Sequence, residues 1–275
     1  MLIAYGDDSG DETQKRVFAA GVVVGRQEDW DFFLPKWIKK NPEGRPFHAT
    51  DCDSDHGDFK NRSHEDNKQL YADNVGLFVN SQLMGAGVAI SVADYWELFP
   101  FAPDNKWWPY YLCFSGALAC VCEIAKLSIP QERIKVLFDR DEAKELDSTR
   151  IFDFIAKRSG EPTECLYGHI EFGNYRKDIG LQVADLIARE TMKDLDNRIG
   201  PTPRWPRQSL MALRRSNRFA TVCKDRASLQ QYRASADLIH ADPQKGKVFK
   251  EWLERNGGRD SIHMRLRFLA EGGIT

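Results

Sequence analysis

The run Leu2-Ile3-Ala4-Tyr5-Gly6 breaks directly into Asp7-Asp8-Ser9-Gly10. A short apolar segment that delivers carboxylates at its end reads as a core strand, and it constrains the fold more than any other feature of the chain. Two later segments share its character. Ile134-Lys135-Val136-Leu137-Phe138 runs into Asp139, and the helical pattern from Ile179 to Asp194 carries Asp185 among mostly apolar neighbours. A carboxylate in such surroundings needs strong compensation for burial. Each has an ordinary reading taken alone: a hairpin-turn acid for Asp7 and Asp8, a strand-terminating cap for Asp139, and for Asp185 an ion pair with Arg189 worth roughly a few tenths of a kcal/mol. Acids on three core elements together point to a divalent-cation site.

Composition sets the outer limits. A chain of 275 residues can bury a sizeable core in one or two domains. Its 42% hydrophobic, 29% charged and 11% aromatic content is that of a globular protein rather than a disordered or fibrous one. The formal net charge of −2 gives no global basic footprint, so nucleic acid would have to be met by a local patch. Asp7 and Asp8 interrupt the first apolar run, which argues against a secretory signal. Cys113, Cys120 and Cys122 share one apolar segment while Cys52, Cys165 and Cys223 are scattered, a usage that fits reduced thiols and a cytoplasmic location.

Along the chain, Met1–Gly6 and Val17–Val24 read as strands of a hairpin joined by a polar turn. From Gly25 to Gly44, Trp30, Phe33, Trp37 and Ile38 recur at near-helical spacing around Pro35, as in a short imperfect helix. Phe47-His48-Ala49-Thr50 leads into an acidic loop in which His48, Cys52, His56 and His64 allow a zinc reading. Their spacing matches no standard finger, and a solvated loop is the more frequent outcome. His48 stands apart because it follows an aromatic and precedes small residues, as at a strand end facing a pocket.

Ser63 opens a helix with Asp66 three residues on, and Met84–Val92 reads as a third, central strand. Asp94–Trp107 reads as an aromatic loop, and Pro109–Leu127 as a helix apolar nearly all round. A membrane span competes for that last segment, but Ser115, Gly116 and Glu123 interrupt it, and about 20 consecutive apolar residues would be needed. A buried helix against a sheet is the simpler reading. Ile134–Phe138 is the fourth strand, a short amphipathic helix follows through Ile155, and Cys165–Phe172 is the fifth strand. On the helix opening at Ile179, Gln182, Asp185 and Arg189 share one face.

After Asp194 the chain turns basic and aromatic. Arg198, Arg204, Arg207, Arg214, Arg215 and Arg218 interleave with Trp205 and Phe219, and Pro201, Pro203 and Pro206 stiffen the connection. Such a run can follow a phosphate backbone and stack on unpaired bases; more often it is a solvated helix and linker. The last periodic stretch, Val248, Phe249, Trp252 and Leu253, reads as a packing helix.

The order strand, strand, insertion, strand, helix, strand, helix, strand, helix places acids where a ribonuclease-H-like fold has them. The expected architecture is α/β: a mixed five-stranded sheet with flanking helices, an insertion over about residues 26–83 between strands two and three, and a mostly helical extension over 196–275 packed on a core of residues 1–195. Several motifs also resemble a family. Tyr5-Gly6-Asp7-Asp8-Ser9-Gly10 is similar to the Tyr-Ile-Asp-Glu-Ser-Gly opening of the bacterial and phage family called domain of unknown function 3800. Phe47-His48-Ala49-Thr50 resembles its His-Ala-Thr element, and Leu181-Gln182-Val183-Ala184-Asp185-Leu186-Ile187-Ala188 its Leu-Gln-Leu-Ala-Asp-Leu-Ile-Ala helix. The resemblance covers roughly the first 195 residues. Gly6 stands where the family has an aliphatic residue, and Asp8, with its shorter reach, where Glu is usual.

The resemblance implies that Asp7, Asp139 and Asp185 take the family's acidic positions. The expected activity is hydrolysis of a phosphodiester, nuclease-like, dependent on Mg²⁺ or Mn²⁺ in a one- or two-ion site. Asp7, Asp8, Asp139 and Asp185 are the expected metal ligands, with His48 joining Asp7, Asp139 and Asp185 as a proton shuttle or outer ligand. Ser9, Gln182, Arg189, Arg204 and Arg207 are the expected substrate contacts, and Asp141 and Glu171 stand in reserve. The expected partner is DNA or RNA, in phage defence or a mobile element, with no membrane; a homo-oligomer is compatible with the chain. A non-catalytic module that binds nucleic acid or protein on the same fold is the competing reading.

Overall fold

The computed structural model describes residues 1–11, 15–42, 45–99, 108–128, 133–156, 165–166 and 168–256. The protein is α/β. Strands β1 (Leu2–Gly10), β2 (Val17–Arg26), β3 (Met84–Ser91), β4 (Ile134–Asp139), β5 (Glu171–Gly173) and β6 (Phe219–Lys224) form one mixed sheet in the order β5-β4-β1-β2-β3-β6. The β1-β2-β3 meander is antiparallel, and β4, β5 and β6 join by parallel pairings.

Side chains alternate across this sheet with a period of two, and the sequence places different chemistry on each face. Leu2, Ala4, Val22, Val88, Val136 and Phe138 enter one core, covered by α5 (Trp108–Ser128) and α6 (Glu142–Ala156). Ile3, Val23 and partly buried Tyr5 enter the other, covered by α1 (Gln27–Lys40), α3 (His64–Val79) and α7 (Ile179–Ile199). Val17, Ala19 and Ala89 pack under the second half of α7 through Met192 and Leu195. β2, central and buried along nearly its whole length, is accordingly a continuous run of valine, alanine, phenylalanine and glycine.

Several expectations need correction. β1 continues to Gly10, because Asp7, Asp8 and Ser9 keep pairing with Gly21, Ala20 and Ala19; the acids are strand residues, not turn residues. The sheet has six strands rather than five. β6 comes from the extension expected to be mostly helical, where Phe219-Ala-Thr-Val-Cys-Lys224 finds an open edge at β3. The segment expected as a loop from Asp94 contains α4 (Val92–Leu98), capped by the Ser91 hydroxyl, which accepts from the backbone N–H of Asp94; Phe99 caps its other end, and 100–107 lies outside the described residues. The fifth strand is short, and Leu166 contributes only an isolated bridge to Ile134. α1 is a regular 14-residue helix despite Pro35.

α5 is long and apolar enough to cross a membrane. Its Cys113, Phe114, Ala117, Leu118 and Val121 pack against the sheet, while Glu123, which the apolar surroundings in the sequence suggest is deep, is exposed. The remaining elements are α2 (Ala49–Ser54), α8 (Gln208–Arg215), α9 (Arg226–Ala241) and α10 (Pro243–Asn256).

Candidate acidic site at the sheet end

Two strands and one helix bring the acids together, each by a local rule. β1 and β4 are parallel and in register from Leu2↔Ile134 to Gly6↔Phe138, so Asp7 and Asp139 occupy the next step of the ladder, on the face opposite Phe138. That is the face α7 covers. Asp7 pairs with Gly21 on β2, and Gly21 with Gly87 on β3, which makes a row of three residues across the sheet. α7 crosses this row almost in contact with it: a Cβ on Gly21 would lie 2.7 Å from the Cα of Ala188, and one on Gly87 2.7 Å from the Cβ of Thr191. Ala188 and Thr191 are three residues apart, an advance of about 4.5 Å along a helix, close to the separation of about 4.8 Å between strands. One further step of three toward the N-terminus reaches Asp185, on the β1 side of the row.

The result is a cleft of ≈490 Å³ lined by Asp7, Asp8, Ser9, His48, Asp139 and Asp185, with Thr50, Arg140, Asp141, Lys144 and Tyr175 on its walls. Asp7 is held well above the ordinary carboxylate range. Burial is the largest cause, followed by repulsion from Asp185, Asp139 and Asp8; the backbone N–H of Asp8, donating to Asp7 Oδ1 at 2.7 Å, opposes it. Burial likewise pushes Asp139 up to about 6, against the backbone N–H groups of Arg140 and Tyr175, with Asp8 and Asp185 adding repulsion. Asp185 is raised by burial although His48, the backbone N–H of Ala49 and Arg189 all favour its charge. Its Oδ2 accepts the Ala49 N–H at 2.6 Å.

His48 sits at the N-cap of α2, its ring 5.6 Å from that of Tyr175 and its Nδ1 3.4 Å from Asp51 Oδ2. The short Phe-His-Ala-Thr element therefore joins the site through both its imidazole and its backbone.

Asp8, expected among the metal ligands, also lines the cleft, but strand alternation turns its carboxylate away from Asp7 and toward Lys144. Lys144 Nζ, 4% exposed, lies 3.2 Å from both of its oxygens and 2.9 Å from Asp141 Oδ2, above the Phe18 and Tyr110 rings. Burial raises Asp8, and Lys144 holds it back. Lys144 is a site-lining residue with no signal in the sequence, where it looks like any charged residue in the first turn of a helix.

The expected substrate contacts divide. Ser9, two residues beyond Asp7 on the same strand face, lines the cleft. Gln182 is buried elsewhere: its Oε1 accepts from Trp37 Nε1 and the Phe47 backbone N–H, and its Nε2 donates to Tyr175 O. Arg189 and Arg207 both bind Asp53, and Arg207 also reaches the fully buried Glu190, which Tyr71 and Ser209 hydroxyls bond at 2.8 Å. Arg204 pairs with Asp196 at 3.0 Å. Arg189 is thus not the ion-pair partner of Asp185. The possible zinc ligands also part company. Cys52 is buried with its thiol on Asn67 O, His56 meets Ser54 O, and His64 pairs with Asp55.

The donors facing one another in the cleft are carboxylate oxygens, which suit a hard divalent cation. Among the described residues, no group of three or more His, Cys, Asp or Glu side chains is spaced to hold a metal ion. No protein-family model matches the sequence, and no curated protein matches it.

Proposed function

We propose that the protein is a divalent-metal-dependent phosphodiester hydrolase of nuclease type on a ribonuclease-H-like sheet. One observation carries the reading: Asp7, Asp139 and Asp185 line one cleft from two parallel strands and a crossing helix, burial raises the proton affinity of all three, and repulsion from neighbouring acids adds to it at Asp7 and Asp139. Such a cluster is stabilised by a cation. The strand order with β1 at the centre of β5-β4-β1-β2-β3, and the resemblance of the Tyr5–Gly10, Phe47–Thr50 and Leu181–Ala188 motifs to the domain of unknown function 3800 family, support the same reading.

Asp7, Asp139 and Asp185 would hold Mg²⁺ or Mn²⁺, which would supply an activated water and charge neutralisation at the phosphate. His48, at the cleft wall, takes or gives a proton at its ring nitrogen. Ser9 lies within the cleft as a hydroxyl donor to the substrate. The substrate is DNA or RNA, met in phage defence or on a mobile element inside the cell.

A second reading, a non-catalytic module that binds nucleic acid or protein on the same fold, is favoured by the spacing of the acids, which among the described residues leaves no ready-made ligand set. Incubation with single- and double-stranded DNA and RNA in Mg²⁺ or Mn²⁺, beside Asp7→Asn, separates the two. Hydrolysis that needs the ion and disappears in Asp7→Asn supports the enzyme; no hydrolysis of any substrate leaves the binding module.

A further inference from the structure

We infer that the surface around the second half of α7 binds single-stranded nucleic acid, with the Trp205 indole stacking on a base. The inference deepens the nuclease reading above and rests on it for the kind of polymer, but not for the binding itself.

Charge is the first argument. Two carboxylates on α7, Asp194 and Asp196, are nearly sealed from solvent, 3% and 1% exposed. Asp196 is shared by Arg16 at 2.6 Å, Arg204 at 3.0 Å and Lys193 at 3.9 Å, and Asp194 by Arg214 at 2.6 Å and Arg198 at 3.3 Å. Five cations are thus gathered on two buried anions. Asp11, which accepts the Arg16 backbone N–H, and Asp225, near Arg198, reduce the surplus without cancelling it. The four guanidinium groups stay between 44% and 57% exposed, so the carboxylates fix them in place while their outer faces remain open to phosphate. A protein of net charge −2 concentrates positive charge here.

Trp205 is the second argument. It is 92% exposed, the most exposed large apolar side chain among the described residues. Its segment is nevertheless held firmly. The Arg204 backbone N–H donates to Asn197 O at 2.8 Å, Asn197 Nδ2 reaches Trp205 O at 3.4 Å, and the flanking Arg204 is tied to Asp196. An indole presented to water beside ordered guanidinium groups is the arrangement that stacks an unpaired base while neighbouring cations meet its phosphates. Bases inside a duplex are already stacked, so this surface distinguishes single strands.

Position is the third. Arg16 immediately precedes β2, whose start lies beside the end of β1 that carries Asp7, as the Gly10↔Phe18 pairing shows. Asp185 and Asp196 lie on one helix, about 16 Å apart along its axis. The arginine surface and the acidic cleft therefore lie on the same helix and toward the same end of β1 and β2.

The test is fluorescence anisotropy of the full chain with a labelled oligo-dT and a hairpin duplex, in EDTA so that no hydrolysis occurs. The wild-type protein should bind oligo-dT more tightly than the duplex, with affinity falling as salt rises. Trp205→Ala should weaken oligo-dT binding by about tenfold, Trp205→Tyr should restore most of it, and neither should lower thermal stability. Arg16→Ala with Arg204→Ala should flatten the salt dependence. Loss of less than about twofold in Trp205→Ala, or equal duplex binding, overturns the inference. So does equally tight, Trp205-dependent binding of poly-glutamate. Oligo-dT binding that needs Trp205 in a protein hydrolysing nothing keeps this surface and removes the nuclease reading; hydrolysis indifferent to Trp205 does the reverse.

Discussion

Gly21 and Ala188 touch backbone to backbone: a Cβ on the glycine would lie 2.7 Å from the alanine Cα. Because Gly21 pairs with Asp7 and Ala188 lies one helical step from Asp185, this single approach sets how closely the two carboxylates face each other. Gly21→Ala should lift α7 from the sheet, cost about 1–3 kcal/mol by overpacking, and lower any metal response. Gly76→Ala on α3, where nothing lies within 4 Å of the added carbon, is the control and should gain up to about 1 kcal/mol from helix propensity. Urea unfolding of both variants checks the pair; equal effects would show that α7 tolerates displacement.

The raised carboxylates impose a pH dependence. The folded protein holds protons on Asp139 up to about 6, whereas the unfolded chain releases them near the ordinary value of 3.8. The folded state therefore binds more protons across that window, and this contribution is present below it and lost as pH rises through it. Asp7 and Asp185 act in the same direction. Asp53, Asp55 and Asp73, held below the ordinary range, act oppositely, so the readout is the difference between wild type and Asp139→Asn. Asp139→Asn should gain relative stability as pH rises from about 4 to about 6 in chelator; a difference that shrinks over this range counts against the cluster.

Divalent ions should reverse that penalty. Mg²⁺ or Mn²⁺ should raise the melting temperature, by the equivalent of about 2.7 kcal/mol at a hundred times the dissociation constant. Asp7→Asn and Asp139→Asn should abolish the shift. Asp8→Asn should keep it, since the Asp8 carboxylate is already paired with Lys144. Differential scanning fluorimetry decides, and loss of the shift in Asp8→Asn would return Asp8 to the ligand set.

Arg207 bridges two carboxylates of the fold. It joins Asp53 to the fully buried Glu190, so Arg207→Ala leaves carboxylates uncompensated and should cost roughly 2–5 kcal/mol. Chemical denaturation reads the loss directly. Unchanged stability with weakened nucleic-acid binding would instead make Arg207 a substrate contact.

Local pattern was enough to place most elements. Alternating and continuous apolar runs marked β1 to β4, and the spacing around Asp185 marked α7, because a strand or helix is set by residues near one another in the chain. The same local view misjudged the edges. It ended β1 at Gly6, since acids look like turn residues until Gly21, Ala20 and Ala19 are seen pairing with them, and it missed β6, whose six residues become a strand only against the open side of β3. Nothing local to Asp8 reveals Lys144, 136 residues away, as the partner of its carboxylate.

That Asp7, Asp139 and Asp185 each sit on an apolar element, and are costly to bury, is legible from their immediate neighbours in the chain. Their sharing of one cleft with His48, and the engagement of Gln182, Arg189 and Arg207 by other partners, emerge only once the chain is folded. The difference is one of range. Burial and periodicity are properties of a few adjacent residues, whereas a carboxylate's neighbour depends on strand register and on the angle at which a helix crosses a sheet, both fixed by packing far along the chain.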